Sequence, residues 1–278
     1  MKKFFVMAAV AAAVCACSNN EASEFTNNEE QTEVTLTFSP YEVTAMTRAS
    51  VSIADVVSKL DVWIYESGSE VTVIHQSSGD EGFGTVTATL DKTKTYTLYA
   101  VAHKAESATL ADGVITFADD KVTHAMYYST TFSPATTTSL SCMMNRIVAD
   151  FRLEITDDVP AECKKIRFTI SDVFDRWNVT SGGTHELDRV STINYGGTSA
   201  IFNVYAITTD AQTLHTVTVE ALDNDGNLLV PAQGKVFTDV PLRNGYKTTY
   251  RGAVFTKQQV ASAFTVENDW QEYDVVDF

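Results

Sequence analysis

The sequence of 278 residues lacks the short motifs by which most catalytic and nucleotide-binding sites are recognised. It contains no nucleophile elbow, Walker loop, glycine-rich dinucleotide fingerprint, His-Glu-x-x-His or Cys-x-x-Cys. Its histidines stand singly along the chain, and each is more typical of a strand residue than of a metal ligand. The sequence therefore predicts a protein that is not an enzyme and has no catalytic residues, metal site or cofactor.

Basic residues are scarce, with 20 Lys and Arg against 36 Asp and Glu, for a formal charge of −16. A surface this acidic repels nucleic acid and anionic lipid, so nucleic acid is not expected as a partner. Long apolar runs are missing too. The longest, residues 4–14, is far short of the ~20 residues that cross a bilayer as a helix.

That apolar run has the surroundings of a removed secretion signal. Lys2 and Lys3 precede it, and a small-residue site that ends on Cys17 follows it. We predict a signal peptide over residues 1–16 and a lipid on Cys17 that holds the protein at a membrane surface. Because residues 1–16 contain two lysines and no acid, the exported chain has a formal charge of −18. A plain signal peptide cut elsewhere is the alternative.

A leader without basic residues follows Cys17. Six glutamates and no Lys or Arg lie between Cys17 and Thr47, so Arg48 is the first basic residue of the exported chain. The pattern predicts a lipidated acidic leader over residues 17–32 and a single proteolytic site at Arg48-Ala49. The alternative is that Arg48 is an exposed loop residue ahead of a helix.

Two cysteines remain in the exported chain after Cys17. Cys142 and Cys163 begin consecutive strand-like runs, and a hairpin would place the two sulfur atoms far apart along the ladder. We expect two unpaired thiols, although an exported protein permits disulfides.

Abundant Thr and Val, alternating polarity and recurring turn clusters predict an all-β sandwich fold. Helix is scarce, and one short helix over residues 53–59 is predicted from a capping box at Ser52 and Asp55. A Ser-Pro-Ala-Thr-rich stretch at 133–139 suggests two domains in tandem, 33–138 and 139–278. Pro134 could equally mark an edge strand within one long sandwich.

Three segments resemble a known family. Residues 60–68 (LDVWIYESG) and 94–104 (KTYTLYAVAHK) resemble the first domain of the fimbrillin-type lipoproteins that build Bacteroidales type V pili. Residues 145–155 (NRIVADFRLEI) resemble the opening strand of that family's second domain. The lipid-acceptor site, the acidic leader and the Arg48-Ala49 bond add to the likeness.

The resemblance implies two transthyretin-like β-sandwiches, export to the outer membrane and assembly into surface fimbriae by strand addition between subunits. In polymerising members of the family, an arginine-specific protease removes the leader with the first strand, and a strand of another subunit replaces it. In anchor members the leader stays and the lipid holds the fibre. The sequence does not choose between these roles, and a ligand on a host or bacterial surface stays open.

The residues themselves agree with an exchangeable strand. Val34, Leu36 and Phe38 alternate with threonines, which gives residues 33–38 one apolar face. Removing such a strand would uncover a groove and unpaired sheet edges, which act as a template for assembly. We predict that residues 33–38 complete their own sheet and can be exchanged between subunits.

The alternative function is a lipid-anchored carbohydrate-binding protein of a polysaccharide uptake system. Its stacking platform would consist of exposed aromatic side chains, namely Trp63, Trp177, Trp270, Tyr127 and Tyr128. Core aromatics are the more usual finding in a sandwich. Residues 223–227 resemble a calcium loop but lack its closing acid, and a hairpin turn between strands 213–222 and 228–237 explains them better.

Overall fold

The computed structural model describes residues 30–40, 52–197, 200–229, 235–255 and 263–267. Within these ranges the chain forms seventeen β-strands, one short α-helix and a 3-10 turn at Ala118–Asp120, which confirms the predicted all-β fold. The first nine strands are β1 (Gln31–Pro40), β2 (Lys59–Glu66), β3 (Ser69–Ser77), β4 (Thr85–Asp91), β5 (Tyr96–His103), β6 (Ala108–Ala111), β7 (Val114–Phe117), β8 (Ala125–Phe132) and β9 (Ser139–Arg146). The others are β10 (Ala149–Ile155), β11 (Lys165–Asn178), β12 (Gly182–Asn194), β13 (Ile201–Ala206), β14 (Thr213–Leu222), β15 (Lys235–Leu242), β16 (Lys247–Gly252) and β17 (Ala263–Glu267).

The helix α1 (Ile53–Val56) begins at the predicted capping box. The Ser52 amide donates to the Asp55 carboxylate at 3.1 Å, and the Ser52 hydroxyl accepts from the Ala54 amide at 3.3 Å. These bonds satisfy donors that the first helical turn leaves unpaired. The helix is shorter than predicted because Val57 takes an extended conformation and buries its side chain, and β2 begins two residues later.

The first sandwich comes from one seven-stranded sheet in the order β3-β2-β5-β8-β9-β1-β4. The strand β9 pairs with β1 over residues 139–144 and with β8 only at residues 145 and 146. The sheet therefore folds over at β9 into two layers, and a core that includes Leu36, Val62 and Leu98 fills the space between them.

The second sandwich packs the four-stranded sheet β13-β10-β16-β17 against β15, β14 and the first half of β11. Its core is aromatic. Phe151 lies 6.4 Å from Phe168, 6.2 Å from Phe237 and 5.7 Å from Tyr250 between ring centroids, within the range of favourable ring pairs.

The long strand β11 connects the two sandwiches. Its first half pairs with β14 over residues 165–170. Its register with β12 shifts between Ile170 and Val173, where Asp172 has a positive φ of 53°. Its end pairs with β7 over residues 176–178. Trp177 thereby joins a third core cluster with Trp63 and Ile115, on the outer face of β2. The strand β2 is consequently buried on both faces.

The domain division after residue 138 stays a prediction, and strand pairing crosses it in both directions. The strand β9, which follows the predicted boundary, lies in the seven-stranded sheet with β1 and β8. The hairpin of β6 and β7, which precedes the boundary, extends the sheet of β11. The two sandwiches therefore share strands as well as a hydrophobic cluster.

A neutral histidine lies where the sandwiches meet. Arg146 can only donate, so Nδ1 of His124 accepts its hydrogen bond at 3.2 Å, and the ring proton lies on Nε2, 2.8 Å from the Tyr205 hydroxyl. Burial lowers the pKa of His124 to about 2, and the charges of Arg146, Lys104 and Lys247 lower it in the same direction.

This histidine should make the protein less stable in mild acid. The unfolded chain takes up a proton below the ordinary histidine pKa of about 6.5, whereas folded His124 does not. The contribution of His124 to the free energy of unfolding is therefore complete above pH 6.5. Below that pH it decreases by up to about 1.4 kcal/mol per pH unit. Urea unfolding of the wild type and of His124→Gln at pH 7, 6, 5 and 4 measures the difference. Parallel pH profiles for the two proteins would contradict the assignment.

Gly84 occupies a position that tolerates no side chain. Its φ is +90°, and an added Cβ would lie 2.6 Å from Cγ2 of Ile53, the first residue of α1. Gly84→Ala should lower the free energy of unfolding by about 1–3 kcal/mol, because both the backbone strain and the contact are unfavourable. Gly79→Ala is the matched control, since no atom lies within 4 Å of its added Cβ. Equal losses of unfolding free energy in the two variants would show that strain and the Ile53 contact are not the reason for a glycine at position 84.

Candidate strand-exchange site

The strand β1 is an inner strand of its layer. It runs parallel to β9, with Phe38 beside Cys142, and antiparallel to β4, with Val34 beside Ala88 and Leu36 beside Val86. The three apolar residues singled out in the sequence are all buried, with Val34 and Leu36 at 0% exposure and Phe38 at 3%. The alternation seen in the sequence thus points one face of this strand into the first core.

The position of β1 follows from its local sequence. Successive side chains of a strand point to opposite faces, so Thr37 is exposed while its two neighbours are buried. Hydrogen bonds beyond the regular ladders hold the strand, from the Thr35 amide to Thr138 O at 3.0 Å and from the Phe38 amide to Gly84 O at 2.7 Å. The strand ends at Pro40, which has no amide hydrogen to continue the pairing.

The strand β4 depends on β1 for its place in the sheet. Among the described residues, β4 pairs with β1 alone and forms the end of the sheet. Loss of β1 would detach β4 from its ladder and uncover one edge of β9. The apolar walls of the resulting groove would come from Val86, Ala88 and Leu90 on one side and from Cys142 and Met144 on the other.

The energy of this contact is large relative to the stability of a domain. Burial of three side chains of this size contributes roughly 5–9 kcal/mol, from about 1.5–3 kcal/mol each. Net stabilities of whole domains are about 5–15 kcal/mol. The protein without β1 would therefore lose much of its stability unless another strand filled the groove.

The predicted processing and lipid sites, Arg48, Ala49 and Cys17, lie outside the described residues. In chain order, residues 41–51 connect β1 to the cap of α1, so a cut at Arg48-Ala49 would leave β1 attached by non-covalent contacts alone. No helix in the described ranges has the length and apolar character needed to cross a membrane.

The two cysteines are unpaired, as expected. Cys142 lies in the core of the first sandwich and Cys163 in the core of the second. Burial raises the pKa of Cys142 to about 12 and raises that of Cys163 as well. Because the thiolate is the reactive form, both thiols should be inert in the folded protein.

The aromatic residues considered for sugar stacking belong mainly to the cores. Trp63 is 3% exposed and Trp177 is 9% exposed, and both lie in the third core cluster. Tyr127 packs against Trp177 and donates to Val179 O at 3.0 Å, while Tyr128 packs against the first core. Trp270 lies outside the described residues.

The calcium-like segment is a tight turn. The Asp223 carboxylate accepts hydrogen bonds from the amides of Asp225 and Asn227, at 2.9 and 2.8 Å, and from the Asn227 side chain. These bonds, above all that from the Asn227 side chain, lower the pKa of Asp223. Of the predicted partner strand 228–237, residues 235–237 pair antiparallel with β14 as the start of β15, and residue 228 makes a single bridge to Leu222. Residues 230–234 lie outside the described residues.

Sequence reasoning missed a buried carboxylate shared by two histidines. Asp61 accepts from Nε2 of His103 at 2.7 Å and contacts Nδ1 of His75 with its other oxygen. These residues are far apart in sequence and meet because β2 lies between β3 and β5. In the described part of the chain, no three His, Cys, Asp or Glu residues are arranged to hold a metal ion.

Comparisons with known proteins show a shared fold. No family model and no curated protein matches the chain. A candidate adhesin from Bacteroides ovatus superimposes with a TM-score of 0.54 at 10% identity, over 86% of this chain and 98% of its own. Candidate polysaccharide binding proteins from Bacteroides thetaiotaomicron superimpose with a TM-score of 0.52 at 11% identity, over 85% of this chain and 96% of their own. The fimbrial anchor protein Mfa2 from Porphyromonas gingivalis superimposes with a TM-score of 0.48 at 11% identity, over 79% of this chain and 90% of its own.

The contribution of β1 to the core can be measured directly. Leu36→Ala should lower the free energy of unfolding by about 2–5 kcal/mol, because it leaves a cavity in a fully buried site. Thr37→Ala, on the exposed face of the same strand, should change it by less than about 0.5 kcal/mol. Chemical denaturation of both variants measures these differences. A loss below about 1 kcal/mol in Leu36→Ala would show that β1 is not packed in solution.

Proposed function

We propose that this protein is a fimbrial subunit or anchor lipoprotein that assembles at the outer membrane by exchange of β-strands. The observation that carries the proposal is the position of β1, a strand near the start of the chain that is fully part of the first core. The sequence resemblance to type V pilus subunits supports it. The fold shared with a candidate adhesin is in keeping with a role in adhesion at the cell surface.

The proposed assembly has two steps. An arginine-specific protease cuts the Arg48-Ala49 bond, and β1 then leaves the groove between β9 and β4. A strand of a second subunit enters the vacant groove. To restore both ladders it must run parallel to β9 and antiparallel to β4 and place an apolar side chain at every second position.

The fate of the leader would decide the role of the subunit. A lipid on Cys17 and an intact Arg48-Ala49 bond would keep β1 in place and tether the protein to the membrane, as an anchor requires. A cut bond would release the leader with β1 and leave a groove that accepts the next subunit. The work of the protein in both cases is pairing between protein chains rather than catalysis.

A carbohydrate-binding lipoprotein is the alternative function. Burial of Trp63 and Trp177 removes two members of the aromatic platform on which that interpretation depends. The likeness to candidate polysaccharide binding proteins shows a common fold and does not identify a sugar site in this chain.

Strand exchange can be tested by cutting the full-length protein with an arginine-specific protease. The cut protein should take up a labelled peptide with the sequence of residues 31–40 and, without the peptide, form a ladder of oligomers. A peptide with Leu36→Asp should not bind, because a buried unpaired carboxylate is unfavourable by several kcal/mol. Fluorescence anisotropy and size-exclusion chromatography measure the two outcomes.

The matched control for this experiment is Arg48→Ala. This variant should resist the cut at this site, stay monomeric and take up no peptide. A cut wild-type protein that stays monomeric and binds no peptide would contradict strand exchange. Uptake of the Leu36→Asp peptide with equal affinity would contradict the assignment of the groove.

A further inference from the structure

A cleft of about 770 Å³ lies between the strands β12 and β13. In the described structure β12 pairs only with β11, and β13 forms the end of its own sheet, so two open sheet edges border the cleft. Residues 119–124, between β7 and β8, also line it. The volume is in the range of sites that hold small ligands.

Arg189 of β12 provides a buried positive charge in the wall of this cleft. It is 9% exposed and donates to the backbone carbonyl oxygens of Asp120 and Val122, at 2.9 and 3.0 Å. Its Nε atom is buried without a hydrogen-bond partner, although the charges of the Asp175 and Asp120 carboxylates act on the guanidinium. The guanidinium thus makes its hydrogen bonds to neutral carbonyls, and its remaining buried donor is unfavourable until an acceptor approaches it.

The surroundings of Arg189 favour an anion further. Lys104 and Lys121 line the same cleft, and the charge of Lys104 also contributes to the low pKa of His124, another lining residue. Three acids oppose them. Asp119 lies 3.9 Å from Lys121. Desolvation lowers the pKa of Arg189, and the charges of the buried Asp175 and of Asp120 raise it by a smaller amount, so the net shift is downward.

The cleft also offers a buried acceptor and several hydroxyl groups. Oδ1 of Asn203, on β13, is buried without a hydrogen-bond partner. Ser191 and Thr192 line the wall opposite, on β12. Unsatisfied buried groups are rare in folded proteins, and a ligand that carries both an anion and hydroxyl donors would match these two orphaned groups together.

We propose that this cleft binds an acidic sugar, with its carboxylate or phosphate towards Arg189 and Lys121 and a hydroxyl group towards Asn203. The site is separate from the groove of β1, and neither Trp63 nor Trp177 lines it. The subunit would thus carry a glycan-binding site in addition to its role in assembly. A result that contradicts sugar binding would leave strand exchange untouched, and the reverse also holds.

Titration of the full-length protein with D-galacturonate, galactose 6-phosphate and D-galactose tests this, by calorimetry and saturation-transfer NMR. At least one acidic sugar should bind about tenfold or more tighter than neutral galactose, because the anion meets a buried cation. Preference for galacturonate or for the phosphate would identify the source of the anion, and either result supports the proposal. Equal binding of galactose, or no saturable binding of either acid, would overturn it.

Two variants locate the site. Lys121→Glu changes a side chain that is 71% exposed, so the fold should persist while affinity for the acidic sugar falls about fivefold. Lys92→Glu makes the same change in charge at an exposed residue outside the cleft and should leave affinity within about twofold. Arg189→Gln should abolish binding. Equal affinities for wild type, Lys121→Glu and Lys92→Glu would place the binding elsewhere and overturn the assignment.

Discussion

The apolar contact between β1 and its two neighbouring strands is the interaction on which the first sandwich depends. Val34, Leu36 and Phe38 fill the space between the layers, and among the described strands β4 has a ladder with β1 alone. The strand β1 lies between β9 and β4 in the sheet order. Here it is an inner strand, so its removal would leave an apolar groove that another strand can fill.

The connection of the two sandwiches has a different physical basis. The strand β11 enters both, because a change of register near Asp172 redirects its second half towards β7. The hydrophobic cluster of Trp63, Ile115 and Trp177 closes the junction, and His124 with its polar neighbours lies at its side. Loss of β1 would act on the first core, whereas this junction and the cleft beside it are built from other strands.

Much of the fold could be predicted from alternation and turn residues. The strand predicted at 213–222 has the observed bounds of β14, and the capping box of Ser52 and Asp55 correctly marks the start of α1. The prediction of residues 33–38 as one apolar face was possible because three large apolar side chains alternate with polar ones. Such patterns are local, so they can be recognised in the sequence without knowledge of contacts between distant residues.

Features that depend on tertiary contacts could not be predicted. Ser171-Asp172 has the composition of a turn, yet the strand β11 continues through it, because pairing with β12 carries it to Asn178. The strand β6 has too little alternation to be found, and it forms because β7 pairs with it. Asp61 meets two histidines, and Arg189 meets the carbonyls of residues 120 and 122, through sheet register that no spacing in the sequence encodes.

The most direct test of strand exchange is a reversible lock on β1. Thr35 and Thr87 are cross-strand partners on β1 and β4, away from the core, so cysteines at both positions could form a disulfide across the ladder. After proteolysis at Arg48, the oxidised protein should stay monomeric, and addition of a reductant should restore assembly. Assembly of the oxidised protein at the rate of the reduced one would show that β1 does not leave its groove, and would contradict the account.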